Sequence, residues 1–249
     1  PTILRNVRSH EEFSDATVGQ IFNQDFSRIP FKEINTVHHL LFMNTGNGFE
    51  ARRLPIETQM SAGYHAGVAD WDNDGNEDLF ISQNSFEYPA SVLKQDAGRG
   101  LILLGDGTGS FTPLSGSDSG IKIYGEQRGA ALSDFNEDGK TDLAVTQNGA
   151  QTRLYLNQAE KQGVRVELTG PDQNKTGIGS GIRILYENGN YGPMRTIKSG
   201  SGYRSLNSAV QVLGFIDSPH AIEVTWFDGT ISEMPISTGI MSYTISYPR

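Results

Sequence analysis

Apolar and polar positions along this chain follow the two-residue period of strands more often than the 3.6-residue period of helices. Val164-Arg-Val-Glu-Leu168 alternates cleanly, as a half-buried strand requires, because successive side chains point to opposite faces. Other apolar runs are short: Leu40-Leu-Phe-Met43, Leu79-Phe-Ile81, Leu101-Ile-Leu-Leu104 and Leu143-Ala-Val145, each followed by Asn, Ser, Gly or Thr. Runs of this length between turn residues predict strands. Further strands are expected near 181–187, 194–198, 209–213, 221–227 and 240–246, separated by Gly, Asn, Pro and Asp turns. Residues 1–39 are least readable: Glu11–Phe22 fits a short amphipathic helix or the remnant of a strand repeat. The chain has 249 residues, 36% of them hydrophobic and 29 of them Gly, which suits one large or two modest domains rich in turns.

The strands are organised around two acidic stretches offset by 64 residues, Asp70-Trp-Asp-Asn-Asp-Gly-Asn-Glu-Asp-Leu79 and Asp134-Phe-Asn-Glu-Asp-Gly-Lys-Thr-Asp-Leu143. Each reads as a calcium loop. Oxygen donors stand at positions 1, 3, 5 and 9, as Asp70, Asp72, Asp74 and Asp78 in the first and Asp134, Asn136, Asp138 and Asp142 in the second. Gly75 and Gly139 permit the sharp turn, and Asn76 and Lys140 can offer backbone carbonyls. Oxygen-only donors are what a hard cation with six to eight ligands needs. An EF-hand is excluded, because position 12 is Ile81 or Val145 instead of Glu and the flanks are too short for helices. Each loop is therefore expected to join two strands of a hairpin. The repeat extends outward through Ala66/Ala130, Gln83/Gln147 and Asn84/Asn148. A second motif, an apolar strand running into a Gly-rich turn and an aromatic, recurs at 40–49 and 101–111, with an echo at 152–157. Repeats of this size, built of short strands, suit propeller blades.

The order strand, D-x-D-x-D-G-x-x-D-L, strand, N-x-G-x-G-x-F resembles the FG-GAP/VCBS repeat of integrin-type β-propellers. Gly177–Tyr186, Ser199–Ser208 and Ile222–Gly229 are similar to the ASPIC/UnbV domain that follows such repeats in the cartilage acidic protein-like family. Leu206, Val212-Leu-Gly-Phe215 and Phe227 depart from that pattern. Together the resemblances imply an all-β chain. Residues 1–160 would form two to three propeller-type blades, a partial β-propeller with Ca2+-binding hairpin loops, and residues 161–249 a small C-terminal antiparallel β domain. The polar stretch Asn157–Gly163 marks the boundary. The implied function is a calcium-stabilised binding or adhesion module, secreted, periplasmic or on the cell surface, with a protein or glycan partner. A closed propeller needs at least four blades, so the rest of a longer chain is expected to be missing. Open blades would leave strand edges for another chain or the C-terminal domain to cover.

Charge sharpens this reading. The net charge is −9, and the two loops alone hold nine carboxylates against Lys140, so acidity is concentrated where a cation would bind. Nothing basic enough to bind a nucleic-acid backbone appears, and no apolar run reaches the length of a membrane span. The absence of Cys excludes disulfides and thiolate metal sites. The chain starts at Pro1, which points to a processed or trimmed N-terminus. Of the remaining candidates, Gly177-x-Gly-x-Gly181 precedes a strand where a dinucleotide loop needs a helix. His38 and His39 would point to opposite faces of a strand. The long connection 84–100, with Phe86, Tyr88, Tyr64 and His65 nearby, offers an aromatic patch for a sugar, although packing over a blade edge is the plainer reading. The alternative function is a carbohydrate-active lyase or dehydratase on a VCBS scaffold, with His65, Tyr64 or Tyr203 as base.

Overall fold

The computed structural model describes residues 6–23, 32–89 and 91–248. The chain divides into two compact units, Pro1–Val37 and His38–Arg249. In the first, residues 10–22 form two short helices rather than strands. Ser9 caps His10–Asp15, and a capping box of Thr17 and Gln20 opens Val18–Phe22, each satisfying N–H groups that a helix start leaves free.

The regular structure of the second unit is strand apart from one helical turn at Ile56–Gln59. Hairpin β1 (Leu40–Asn44) and β2 (Phe49–Arg53) comes first. It is followed by an antiparallel meander of β3 (Gly63–Ala69), β4 (Asp78–Gln83), β5 (Leu101–Gly105) and β6 (Phe111–Pro113). Then β7 (Glu126–Ser133), β8 (Asp142–Asn148) and β9 (Ala150–Tyr155) form a three-stranded antiparallel sheet. The 64-residue repeat governs register as well as sequence. Ala66↔Ile81 and Val68↔Leu79 in one sheet correspond to Ala130↔Val145 and Leu132↔Leu143 in the other. The irregularity also recurs, between Gly63 and Ala66 and between Gln127 and Ala130. These sheets share a core of Phe80, Ile102, Leu132, Leu143, Val145 and their neighbours.

After residue 163 two further sheets pack on each other. One has the order β13 (Gln211–Leu213), β10 (Val164–Thr169), β16 (Ser242–Ser246). The other runs β12 (Arg195–Thr196), β11 (Gly181–Tyr186), β14 (Pro219–Thr225), β15 (Ile231–Pro235). The inward residues of β10, Val164, Val166 and Leu168, meet Ile182, Ile184, Tyr186, Ile222, Val224 and Trp226 in a separate core. Each such side chain withdrawn from water contributes about 1.5–3 kcal/mol. Two details differ from expectation. β10 and β16 pair in parallel, so this region is not wholly antiparallel, and β15 was not anticipated because its burial alternates only between exposed and half-buried. No helix among the described residues is long and apolar enough to cross a membrane.

Candidate metal centre

The two acidic loops close their hairpins with the same hydrogen bonds. The carboxylate at position 1 accepts from the backbone N–H groups of positions 5 and 6: Asp70 from Asp74 (3.0 Å) and Gly75 (2.8 Å), Asp134 from Asp138 (3.0 Å) and Gly139 (3.0 Å). The position-3 oxygens of Asp72 and Asn136 also accept from position 5. Asp74 accepts from Asn76 N–H, and Asp138 from Lys140 N–H. At position 9, Asp78 takes N–H groups of Trp71 and Gly105, both at 2.7 Å. Asp142 takes those of Phe135 and Asn157, both at 2.8 Å. Carboxylates that absorb so many donors fold each loop inward on its own oxygens.

Two backbone positions make the turn. Gly75 (φ 94°) and Gly139 (φ 76°) occupy the left-handed region, and so do Asn73 (φ 54°) and Glu137 (φ 60°) at position 4. Asn tolerates that conformation better than Glu. Position 4 carries no signal in a donor-spacing pattern, and sequence reasoning passed it over.

Asp70 and Asp78 are each 1% exposed, and with half-buried Asp72 they bring one oxygen apiece within 4.8 Å of one another. Among the described residues this is the group of acidic or imidazole side chains drawn closely enough to hold a metal ion. Of the expected ligands, Asp74 lies beside this trio through its bonds to Asp70, Asp72 and Asn76. The second loop has fewer charges, with Asn136 exposed and its amide on Asp138. Burial drives the electrostatics. It pushes the Asp70 carboxyl up to about 6, against the N–H bonds and nearby Arg195 that pull it down. It pushes Asp78 up to about 7, against the N–H groups of Gly105 and Trp71, with Asp72 and Asp70 adding repulsion. Asp142 is raised for the same primary reason. Two buried carboxylates and a half-buried one facing one another oppose their own charge, and a hard divalent cation with oxygen ligands removes that opposition. Oxygen donors of this type suit a hard cation, and the described residues gather three of them, Asp70, Asp72 and Asp78, in the first loop.

The chain beyond residue 157 closes over both loops. A Cβ on Gly75 would lie 2.5 Å from Ile216 N, and one on Gly139 2.9 Å from Gly163 O. Asn73 donates to Lys161 O (3.1 Å), Gly163 N to Gly139 O (2.8 Å), and Asn157 to Trp71 O (2.8 Å). Two arginines, absent from the sequence reading, offset part of the loops' charge. Arg195 forms a two-pronged pair with Glu77 (2.7 and 3.1 Å) and donates to Val212 O. Arg165 lies 3.8 Å from Asp134 and 3.5 Å from Glu137. Their separation from the loops in sequence left no local signal.

The other candidates fall elsewhere. The His39 ring is bonded to Thr58 O at 2.7 Å. Tyr64 stacks on the Arg128 guanidinium at 4.0 Å and lies 6.0 Å from Tyr203. His65 is 3% exposed, neither ring nitrogen has a partner, and burial lowers its pKa. Phe86 and Tyr88 are half-buried.

The molecule is thus an all-β chain with several antiparallel sheets and a twice-repeated acidic hairpin, and residues 170–249 match the family model described as ASPIC and UnbV. Along most of its length the chain is similar to Cartilage acidic protein 1 of Xenopus tropicalis, 26% identical over 221 residues, or 85% of this chain. The matched part is 33% of that relative, so the chain spans about a third of its length.

Proposed function

We propose that this chain is a calcium-stabilised binding or adhesion module of the cell exterior or envelope that recognises a protein or glycan. The observation that carries the reading is the repeated loop, in which buried carboxylates at positions 1 and 9 hold the same bonds in both copies. One ion binds through Asp70, Asp72, Asp74 and Asp78 with the carbonyl of Asn76. A second binds through Asp134, Asn136, Asp138 and Asp142 with the carbonyl of Lys140. Loop one binds more tightly, having four carboxylates to three. Ion binding acts structurally: it stabilises the fold by whatever it contributes beyond the unfolded chain.

In this reading β3–β6 and β7–β9 are blades of a partial FG-GAP/VCBS-type β-propeller within the repeat region 1–160, and residues 161–249 form the ASPIC/UnbV-type domain. The separate apolar cores on either side of the boundary support the division. The match at 170–249 and the similarity to a cartilage protein favour an extracellular setting. The test is an array of extracellular proteins and glycans probed with the purified chain in calcium and in chelator. Retention that is strong in calcium and lost in chelator supports the module. Depolymerisation of an arrayed polysaccharide, with no retained complex, would replace it with an enzyme.

A further inference from the structure

The two repeats present the same inner strand edge, and the structure fills it in one and leaves it open in the other. In the second repeat, Ser205 Oγ accepts from Ala130 N at 3.0 Å and Asn207 Oδ1 accepts from Leu132 N at 3.1 Å. Ser208 N donates to Leu132 O at 2.9 Å. Residues 205–208 thus cover the free edge of β7, with two side-chain oxygens and one backbone N–H taking the place of a strand's ladder. The shared register turns the corresponding groups of Ala66 and Val68 away from β4. Among the described residues, no protein group meets them. Instead they border a cavity of about 400 Å³ walled by Lys198, Ser201, Asn207 and Gln211.

One difference in sequence between the repeats accompanies this. Gly129 lets the Arg204 backbone sit directly on β7, where any Cβ would collide with the Arg204 carbonyl. The equivalent position in the first repeat is His65, whose buried ring lies 3.5 Å from where a Cβ on Gly202 would stand. The imidazole thus packs beside the Gly202 backbone on the β3 side. The cavity also has a charge preference. Arg195 at its end is matched by Glu77, whereas exposed Lys198 has no ion pair among the described residues.

The geometry points to an extended segment of a partner protein, bearing an acidic side chain, that adds to β3 along this cavity with the acid on Lys198. Strand addition draws affinity from main-chain bonds and specificity from flanking side chains. The inference rests on the binding-module reading and selects protein over glycan within it.

The test selects an octapeptide library displayed on phage against the wild-type chain in calcium, and measures the selected peptides on Val68→Pro and Lys198→Glu. Proline at 68 removes a donor on a free edge, one of the places in a sheet that tolerate it, and Lys198→Glu changes only an exposed side chain. Thermal unfolding of each variant confirms its folding, and Lys198→Glu carries the test alone if Val68→Pro does not fold. The expected result is enrichment of Asp- or Glu-containing peptides that bind both variants at least tenfold more weakly. No enrichment, or equal binding to the wild type and the variants, overturns the inference. A hyaluronan oligosaccharide, an acidic glycan, is measured in parallel. If it binds through Lys198 and is indifferent to Val68→Pro, the peptide inference fails while the binding module stands. If nothing binds here, the inference fails, and the calcium-dependent array decides the module separately.

Discussion

Withdrawing calcium and lowering the pH should act in opposite directions on the stability of this chain. Without an ion, Asp70 and Asp78 carry folded-state pKa values of about 6 and about 7 against an ordinary 3.8. A carboxyl whose pKa is raised by folding destabilises the charged folded state. The cost is fully present above the folded value and is relieved as pH falls toward the unfolded one. Between about pH 8 and about pH 5, this linkage returns about 1 kcal/mol through Asp70 and about 3 kcal/mol through Asp78. The total is about 4 kcal/mol at most, because protonating either carboxyl relieves its neighbour. For a chain of this size that is a rise in Tm on the order of 10 °C, and Asp142 adds to it in the same sense. Calcium instead requires both groups charged, so its stabilisation fades over the same interval. His65, with its pKa lowered by burial, loses stability for the fold below about 6.5, but it does so equally with and without the ion. The assay is thermal unfolding across this pH range in millimolar calcium and in chelator. The difference in Tm should be large at about pH 8 and nearly closed at about pH 5. A difference that is absent, or constant across the range, would refute the reasoning.

Three further outcomes follow from individual contacts. Burial raises the Glu126 carboxyl, but bonds from Phe86 N–H, Asn148 and Arg128 outweigh it and hold it at about 2. The stability it supplies is present above its ordinary 4.5 and lost as pH falls toward 2; in acid unfolding, Glu126→Gln should abolish that loss, and an unchanged acid limb would contradict the assignment. Arg195→Met strands Glu77 and frees the Val212 carbonyl, so denaturant unfolding should show a loss of about 2–4 kcal/mol. Gly75→Ala combines φ 94° with a Cβ 2.5 Å from Ile216 N, whereas Gly229→Ala at φ 88° meets nothing within 4 Å. The first should cost about 2–3 kcal/mol and the second about 1 kcal/mol, and equal losses would show that residues 215–216 do not press on the loop.

Much of this architecture is legible because the loops are governed by local chemistry. Asp70 and Asp134 reach N–H groups only four and five residues away, so their spacing fixes the turn and the two strands it joins. The clean alternation at 164–168 likewise becomes β10, with Val164, Val166 and Leu168 facing the core. What lies outside such reading depends on contacts distant in sequence. Arg195 meets Glu77 across 118 residues, and Asn207 meets Leu132 across 75. Neither periodicity nor composition records those pairings. The weakly patterned β15 escapes for another reason: at the rim of its sheet it buries little, so its side chains need not alternate strictly. The parallel pairing of β10 with β16 is equally invisible locally, because the partner strands share no turn.

Whether two calcium ions occupy the acidic loops can be read from equilibrium dialysis with radioactive calcium. Two ions should bind per wild-type chain, and one each for Asp74→Ala and Asp138→Ala, with the weaker site remaining in the first. No bound calcium, or a stoichiometry unaffected by either substitution, would contradict that occupancy.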